Sequence, residues 1–153
     1  MKKLLLAFLI SIPAAGYSQG NPNSVGLGVG PLYNGFGLAY EIPIASVHNY
    51  VSIGCPSFGY GGDSGFVSNC GAGYSIVVTP FSNNTRHGFG FNVGAGFTNR
   101  HQTTSPYYLA GFNYSYFYDG IENKGWNVQI GPALEYWEGL YSPTAMFGFG
   151  YQF

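Results

Sequence analysis

The chain has 153 residues, of which 7% are charged, 19% are aromatic and 25 are glycine, and its formal net charge at pH 7 is −1. Soluble domains carry about 25% charged residues, so this composition suits a water-facing surface poorly. The absence of net positive charge removes the electrostatic basis for nucleic-acid binding. Disorder is disfavoured because disordered chains are poor in aromatic residues.

Residues 1–18 have the pattern of a secretory signal peptide. A lysine pair precedes an apolar stretch at 4–12, and a proline and small residues follow it. We predict cleavage after Ser18, with cleavage after Gly16 as the alternative. This leaves residues 19–153 as one mature domain, in which no apolar run reaches the ~18–20 residues of a transmembrane helix.

The rest of the chain alternates between apolar and polar or small residues, which is the two-residue period of a β-strand. Between Phe89 and Thr98 every odd position is apolar, and every even position is Gly, Asn or Thr. Asn34-Gly35 is the strongest of the hairpin signals between such runs. The pattern predicts eight strands, at roughly 24–33, 36–44, 50–57, 67–79, 88–98, 107–117, 125–136 and 141–153.

The face opposite the apolar residues is rich in Gly, Asn, Ser and Gln and almost free of charge, which suits the lumen of a barrel. Only Glu41 and Glu135 among the charged residues of the mature chain fall within predicted strands, and both share this lumen face. A charge that faced lipid would cost up to ~2–4 kcal/mol. We therefore predict an all-β fold, an eight-stranded antiparallel up-and-down transmembrane β-barrel integral to a bacterial outer membrane. Its expected surroundings are outer-membrane lipid and lipopolysaccharide, and we predict no nucleic acid, cofactor or metal.

The last strand ends in phenylalanine, with aromatic residues at alternate positions before it, namely Phe149, Tyr151 and Phe153. This ending resembles the C-terminal signature that outer-membrane barrels present to the barrel-assembly machinery. Together with the signal peptide and the alternation, the chain resembles the small eight-stranded class of bacterial outer-membrane proteins. The resemblance implies that these three residues act as an assembly signal.

The only two cysteines, Cys55 and Cys70, flank a predicted loop. In a hairpin centred between Gly62 and Asp63 they stand opposite each other on the same face. We therefore predict a cross-strand disulfide, formed in the oxidising periplasm. Two free thiols are the alternative.

The loop residues Asp63 and Ser64, with His101 in the next outer loop, resemble the Asp-Ser pair and nearby His of lipid A palmitoyltransferase, an eight-stranded outer-membrane enzyme. The resemblance implies acyltransferase chemistry on lipid A with these three residues as the catalytic group. The order differs, because here the His follows the pair, and that family's amphipathic N-terminal helix is missing. We therefore predict a non-enzymatic envelope or surface role or minor permeability, with lipid A modification as the alternative.

The lumen face supports a further alternative, a narrow cation-preferring channel. No Lys or Arg shares that face with Glu41 and Glu135, so both carboxylates are predicted to lack basic partners. The many lumen glycines predict either wall curvature or room for water or a ligand, and a hydrated acidic lumen would favour cations. The histidines have no metal-ligand spacing and are interpreted as solvated turn residues: His48, His87 and His101.

Overall fold

The computed structural model describes residues 23–44, 47–60, 66–81, 85–100 and 103–153. Eight antiparallel strands pair in chain order, and the last pairs with the first to close a barrel. The predicted all-β, eight-stranded antiparallel barrel is confirmed. Among these residues no helix has the length and apolarity that crossing a membrane requires. The strands are β1 (Val25–Gly30), β2 (Gly35–Ile44), β3 (Val47–Tyr60), β4 (Phe66–Val78), β5 (His87–Arg100), β6 (Thr103–Phe117), β7 (Gly125–Trp137) and β8 (Leu140–Gln152).

The alternation of residue types sorts the side chains between the two faces of the wall. In β5, Phe91 and Phe97 are exposed on the outside, whereas Asn92 and Thr98 are buried inside. Apolar side chains cover the outer face and polar ones line the interior, which is the reverse of a β-protein that buries an apolar face and exposes a polar one to water. The buried polar side chains on the strands include Asn49, Ser52, Ser75, Asn92, Asn113, Ser115, Asn127, Gln129 and Gln152.

The first hairpin is shorter than its neighbours and ends part-way along the wall. β1 pairs only with residues 149–152 of β8, and β2 pairs only with residues 47–55 of β3. The remaining lengths of these two flanking strands extend past the hairpin. We name the end of the barrel that holds Ser24 and Phe153 the lower end, and the end towards which the flanking strands extend the upper end.

The predicted end of the first strand at residue 33 is wrong, although the chain does turn back at Asn34-Gly35 as predicted. β1 stops at Gly30, and residues Pro31 to Asn34 leave the wall with a 3-10 turn at Pro31–Tyr33. Pro31 has no N–H to continue the ladder, and Gly30, Asn34 and Gly35 have φ values of +122°, +51° and +87°. A Cβ on Gly35 would also lie closer than 3.0 Å to Pro56, so only glycine fits at this return.

The predicted disulfide between Cys55 and Cys70 is confirmed, with an S–S distance of 2.07 Å. The register of β3 against β4 shifts between Gly54 and Ser57, so Cys55 and Pro56 both oppose Cys70 in a β-bulge. Proline is tolerated at a bulge because no ladder hydrogen bond is required of it there. The disulfide therefore joins the two strands at the place where their regular pairing is interrupted.

Candidate functional site in the barrel interior

Residues 31–34 fold into the middle of the barrel, and we name them the plug. Leu32 and Tyr33 are each 1% exposed, although they belong to the connection between two strands. The Tyr33 hydroxyl accepts a hydrogen bond of 2.8 Å from the Asn127 amide, and the Leu32 N–H donates one of 3.2 Å to the Gln129 side chain. The polar interior of β7 therefore holds the plug in place.

Glycines on the facing strands make room for the plug. A Cβ on Gly28 or Gly150 would lie closer than 3.0 Å to the Tyr33 ring, and a Cβ on Gly94 would be equally close to the Asn34 side chain. Of the two alternatives predicted for the lumen glycines, wall curvature and room inside the barrel, these three provide room. The plug's own side chains occupy that room.

The plug carries no charge. Its four residues are Pro31, Leu32, Tyr33 and Asn34, so it fills the lumen with apolar groups, a phenol and an amide.

Below the plug, the structure places Glu41 inside the barrel, in a hydrogen-bonded network. Its carboxylate contacts the His48 ring and the Ser24 hydroxyl and accepts a hydrogen bond of 2.8 Å from Gln152, which also donates to the Tyr50 hydroxyl at 3.2 Å. Glu41 is 4% exposed and His48 is 3% exposed. A buried carboxylate needs such partners because leaving it unpaired is costly.

Two predictions fail at this network. His48 is not a solvated turn residue, because β3 begins at Val47 and turns the imidazole into the lumen. Glu41 therefore does have a basic partner, which the count of Lys and Arg alone did not reveal. The second histidine, His87, is the first residue of β5, and its ring makes a hydrogen bond of 2.7 Å with the Tyr114 hydroxyl. It is therefore not a solvated turn residue either.

The lower end of the lumen is closed by apolar packing. Tyr50, Val77 and Phe117 are buried with the plug residues in one cluster. Ile121, from the turn between β6 and β7, joins the same cluster and is 1% exposed. The lower half of the barrel is therefore filled by its own residues.

Above the plug lies a second compartment, which we name the upper chamber. It is a cavity of about 240 Å³ whose inner wall includes Leu109, Glu135 and Met146. The Glu135 carboxylate accepts a hydrogen bond of 3.5 Å from Asn69 of β4. Because β4 and β7 are not adjacent in the barrel, this contact crosses the lumen and places Glu135 inside.

The other predicted site residues are distributed as follows. Asp63, Ser64 and His101 lie outside the described residues. Phe149 stacks on Trp126 with ring centroids 4.7 Å apart on the outer face, and Tyr151 packs against Phe153 at 5.0 Å. Within the described part of the chain no group of three or more His, Cys, Asp or Glu side chains could hold a metal ion.

Comparison with protein-family models, with curated proteins and with solved structures finds no match to this chain. The functional interpretation therefore depends on the geometry of the barrel itself.

Sequence reasoning missed the plug and the role of His48. One signal for the plug was present, because Gly30-Pro31 is a turn dipeptide inside the predicted first strand. No local signal identified His48, since its partner lies on the neighbouring strand and is reached only when the register is known.

Proposed function

We propose that the chain is an integral outer-membrane β-barrel protein of bacteria. It is exported with residues 1–18 as a cleaved signal peptide, inserted by the barrel-assembly machinery, and surrounded by outer-membrane lipid and lipopolysaccharide. The observation that carries the proposal is the apolar outer wall. Phe112 in the middle of β6 is 65% exposed and Phe147 on β8 is 66% exposed, and such a continuous apolar surface on a soluble monomer would promote aggregation.

Two aromatic pairs on the outer wall, one near each end of β7 and β8, support this proposal. Trp126 and Tyr136 lie ten positions apart on β7, and Tyr151 and Tyr141 lie ten apart on β8. The lower pair has ring centroids 5.0 Å apart and the upper pair 4.8 Å apart. Ten residues span ~33 Å along a strand, which at a typical tilt of ~40° is ~25 Å along the axis, the height of the apolar band in outer-membrane barrels.

The strand order also supports an orientation. The start of β1 and the end of β8 lie together at the lower end, and even-stranded barrels keep these ends in the periplasm. The upper chamber then opens towards the outer leaflet and the cell surface.

We further propose that the barrel is closed and non-enzymatic, with a role at the envelope surface. The plug and the apolar cluster below it fill the lumen between the upper chamber and the lower end. Glu41 and Glu135 therefore lie in separate compartments and do not line one path. The alternative of a cation-preferring channel loses its basis, because Glu41 is paired with His48 and the space between the two acids is filled.

The membrane location is tested by cell fractionation of the expressed full chain. We expect recovery with the outer membrane and a band whose gel mobility changes on boiling, as for a folded barrel. Recovery as a soluble periplasmic protein would contradict the proposal.

The role is tested separately. Planar-bilayer recordings of the purified barrel should show no steady conductance, and lipid A should have the same mass with and without expression. A mass shift that Ser64→Ala abolishes would instead establish the lipid A-modifying enzyme, with Asp63 and His101 as its expected partners.

A further inference from the structure

The barrel wall is incomplete beside the upper chamber. Residues 140–148 of β8 and 56–60 of β3 extend past the short first hairpin. Among the described residues no strand pairs with the edges that these two lengths turn towards each other. We name the opening between them the portal.

The portal and the upper chamber form one continuous cavity. Its lining combines the end of the first hairpin (Gly30 and Gly35), Pro56 of β3 and residues 144–147 of β8 with Glu135 on the inner wall. The volume of about 240 Å³ equals that of roughly eight water molecules at liquid density. A ligand that enters sideways between β3 and β8 therefore reaches a carboxylate inside the barrel.

The two ends of this cavity differ in polarity. The portal is bordered by apolar groups, among them Pro56, Ala145 and Phe147. At the inner end lies the Glu135 carboxylate with its hydrogen-bond partner Asn69. Thr98, on the neighbouring strand, stands opposite Asn69, so the surroundings of the inner end are polar.

Two buried polar groups in the described upper part of the barrel have no hydrogen-bond partner. Within the described residues the Thr98 hydroxyl, which is 3% exposed, and the Trp137 indole N–H make no hydrogen bond. A buried polar group left without a partner is unfavourable. Neither residue lines the cavity, so the polar side chain that the cavity presents to a ligand at its inner end is the Glu135 carboxylate.

We propose that the upper chamber binds a single-chain amphiphile from the surrounding membrane. Its headgroup, a hydroxyl or an ammonium, donates to Glu135, because an ionised carboxylate only accepts hydrogen bonds. Its alkyl chain leaves through the portal between β3 and β8 and continues along the apolar outer wall. The proposal rests on the proposed membrane location, because only there does the portal open onto lipid.

The membrane also explains why an open sheet edge is tolerated here. Unpaired backbone facing hydrocarbon is avoided, except where it lines a cavity within the protein, and the portal edges border the chamber. A strand from a second copy that pairs with these edges is the competing occupant. That occupant would pair the edges but would leave the Glu135 carboxylate with its one long hydrogen bond from Asn69.

The test uses Trp137 as a reporter. The chain has two tryptophans, so Trp126→Phe leaves only Trp137. Its side chain packs against a cluster that includes Leu109, which lines the chamber. This barrel is refolded in detergent micelles and titrated with a long-chain alcohol and a long-chain amine, each brominated in the alkyl chain next to the headgroup. We expect saturable quenching that the corresponding unbrominated compound reverses. In Glu135→Gln, binding of the amine should weaken about tenfold more than binding of the alcohol, since hydrogen bonds to charged groups are the stronger ones.

Matched variants distinguish the portal from general partitioning into the micelle. Thr144→Phe places a ring in the lining of the cavity, whereas Thr104→Phe makes the same change on the exposed part of β6, away from it. Quenching that is lost in the first variant and kept in the second supports the proposal. Quenching that does not saturate, or that is equal in both, overturns it, and so does a dimer that excludes the probes.

Heat-dependent gel mobility verifies that each variant is folded. If Thr144→Phe does not fold, the difference between alcohol and amine in Glu135→Gln decides the question. Because the titration is done in micelles, its failure leaves the fractionation result, and hence the membrane location, unaffected.

Discussion

The most direct test of the plug is a change at a glycine that touches it. At Gly150 the three nearest atoms to an added Cβ all belong to the Tyr33 side chain, and all lie closer than 3.0 Å. Carbon atoms pack best at about 3.5–4.0 Å, so Gly150→Ala requires the ring to move by roughly an ångström. The ring is confined by Gly26 and Gly28 and held by Asn127. We therefore expect a destabilisation near the upper end of the ~1–3 kcal/mol range for overpacking.

A double-mutant cycle isolates this contact. Tyr33→Ala alone should cost about 3–5 kcal/mol, as for other large aromatic-to-alanine changes in a core. In the Tyr33→Ala background, Gly150→Ala should leave the free energy of unfolding almost unchanged. The coupling energy between the two changes should therefore be about as large as the destabilisation caused by Gly150→Ala alone. Gly90 provides a matched control, because an added Cβ there would meet Asn113 and the Ile76 carbonyl rather than the plug. Gly90→Ala should cost the same with and without Tyr33.

The assay is reversible urea unfolding of the refolded barrel in lipid vesicles or detergent micelles, followed by tryptophan fluorescence. Additive effects of Gly150→Ala and Tyr33→Ala would refute the conclusion that the glycine exists to accommodate the ring. Equal coupling at Gly90 would show that the cycle reports general loosening of the barrel instead.

Three further predictions concern the lower network, the outer wall and the C-terminus. His48→Ala should destabilise the barrel by about 3–5 kcal/mol, because it leaves a buried charge without its basic partner, and adding Glu41→Gln should restore part of the loss in the same unfolding assay. Phe112→Lys should lower the free energy of unfolding from lipid vesicles by ~2–4 kcal/mol, whereas Thr104→Lys, near the upper end of the same strand, should lower it by ~0–1 kcal/mol. Equal losses of stability would contradict a membrane around the wall. Removal of Phe153, whose side chain is 56% exposed, should reduce insertion in cells more than refolding into detergent, and equal loss in both settings would assign it to packing instead of recognition by the assembly machinery.

The closed lumen changes how the acidic residues are interpreted. From the sequence, Glu41 and Glu135 form one class of unpaired carboxylates on the lumen face. In the structure Glu41 is part of a buried network that stabilises the lower end, whereas Glu135 has one long hydrogen bond and lines a cavity that is open at the side. Of these two carboxylates, Glu135 is the one that lines an accessible cavity.

The sequence by itself determined the parts of this protein that depend on local periodicity. Alternation with a period of two assigns residues such as Phe91 and Asn92 to opposite faces, and it needs no knowledge of which strands are neighbours. The Cys55–Cys70 disulfide could also be predicted locally, because the two strands of a hairpin are close in sequence. Assuming a centre for the hairpin gives the pairing of its strands, and the structure differs from that pairing only by the one-residue bulge at Cys55 and Pro56.

The tertiary structure decided everything that requires closure of the barrel. Tyr33 lies against Gly150 and Asn127, which are about a hundred residues away in sequence, and no local pattern indicates that a four-residue connection should fold inwards. His48 meets Glu41 only because β3 begins earlier than its apolar pattern suggests. The portal results from the short first hairpin beside two longer strands, and such a difference in length has a consequence only after β8 has returned to pair with β1.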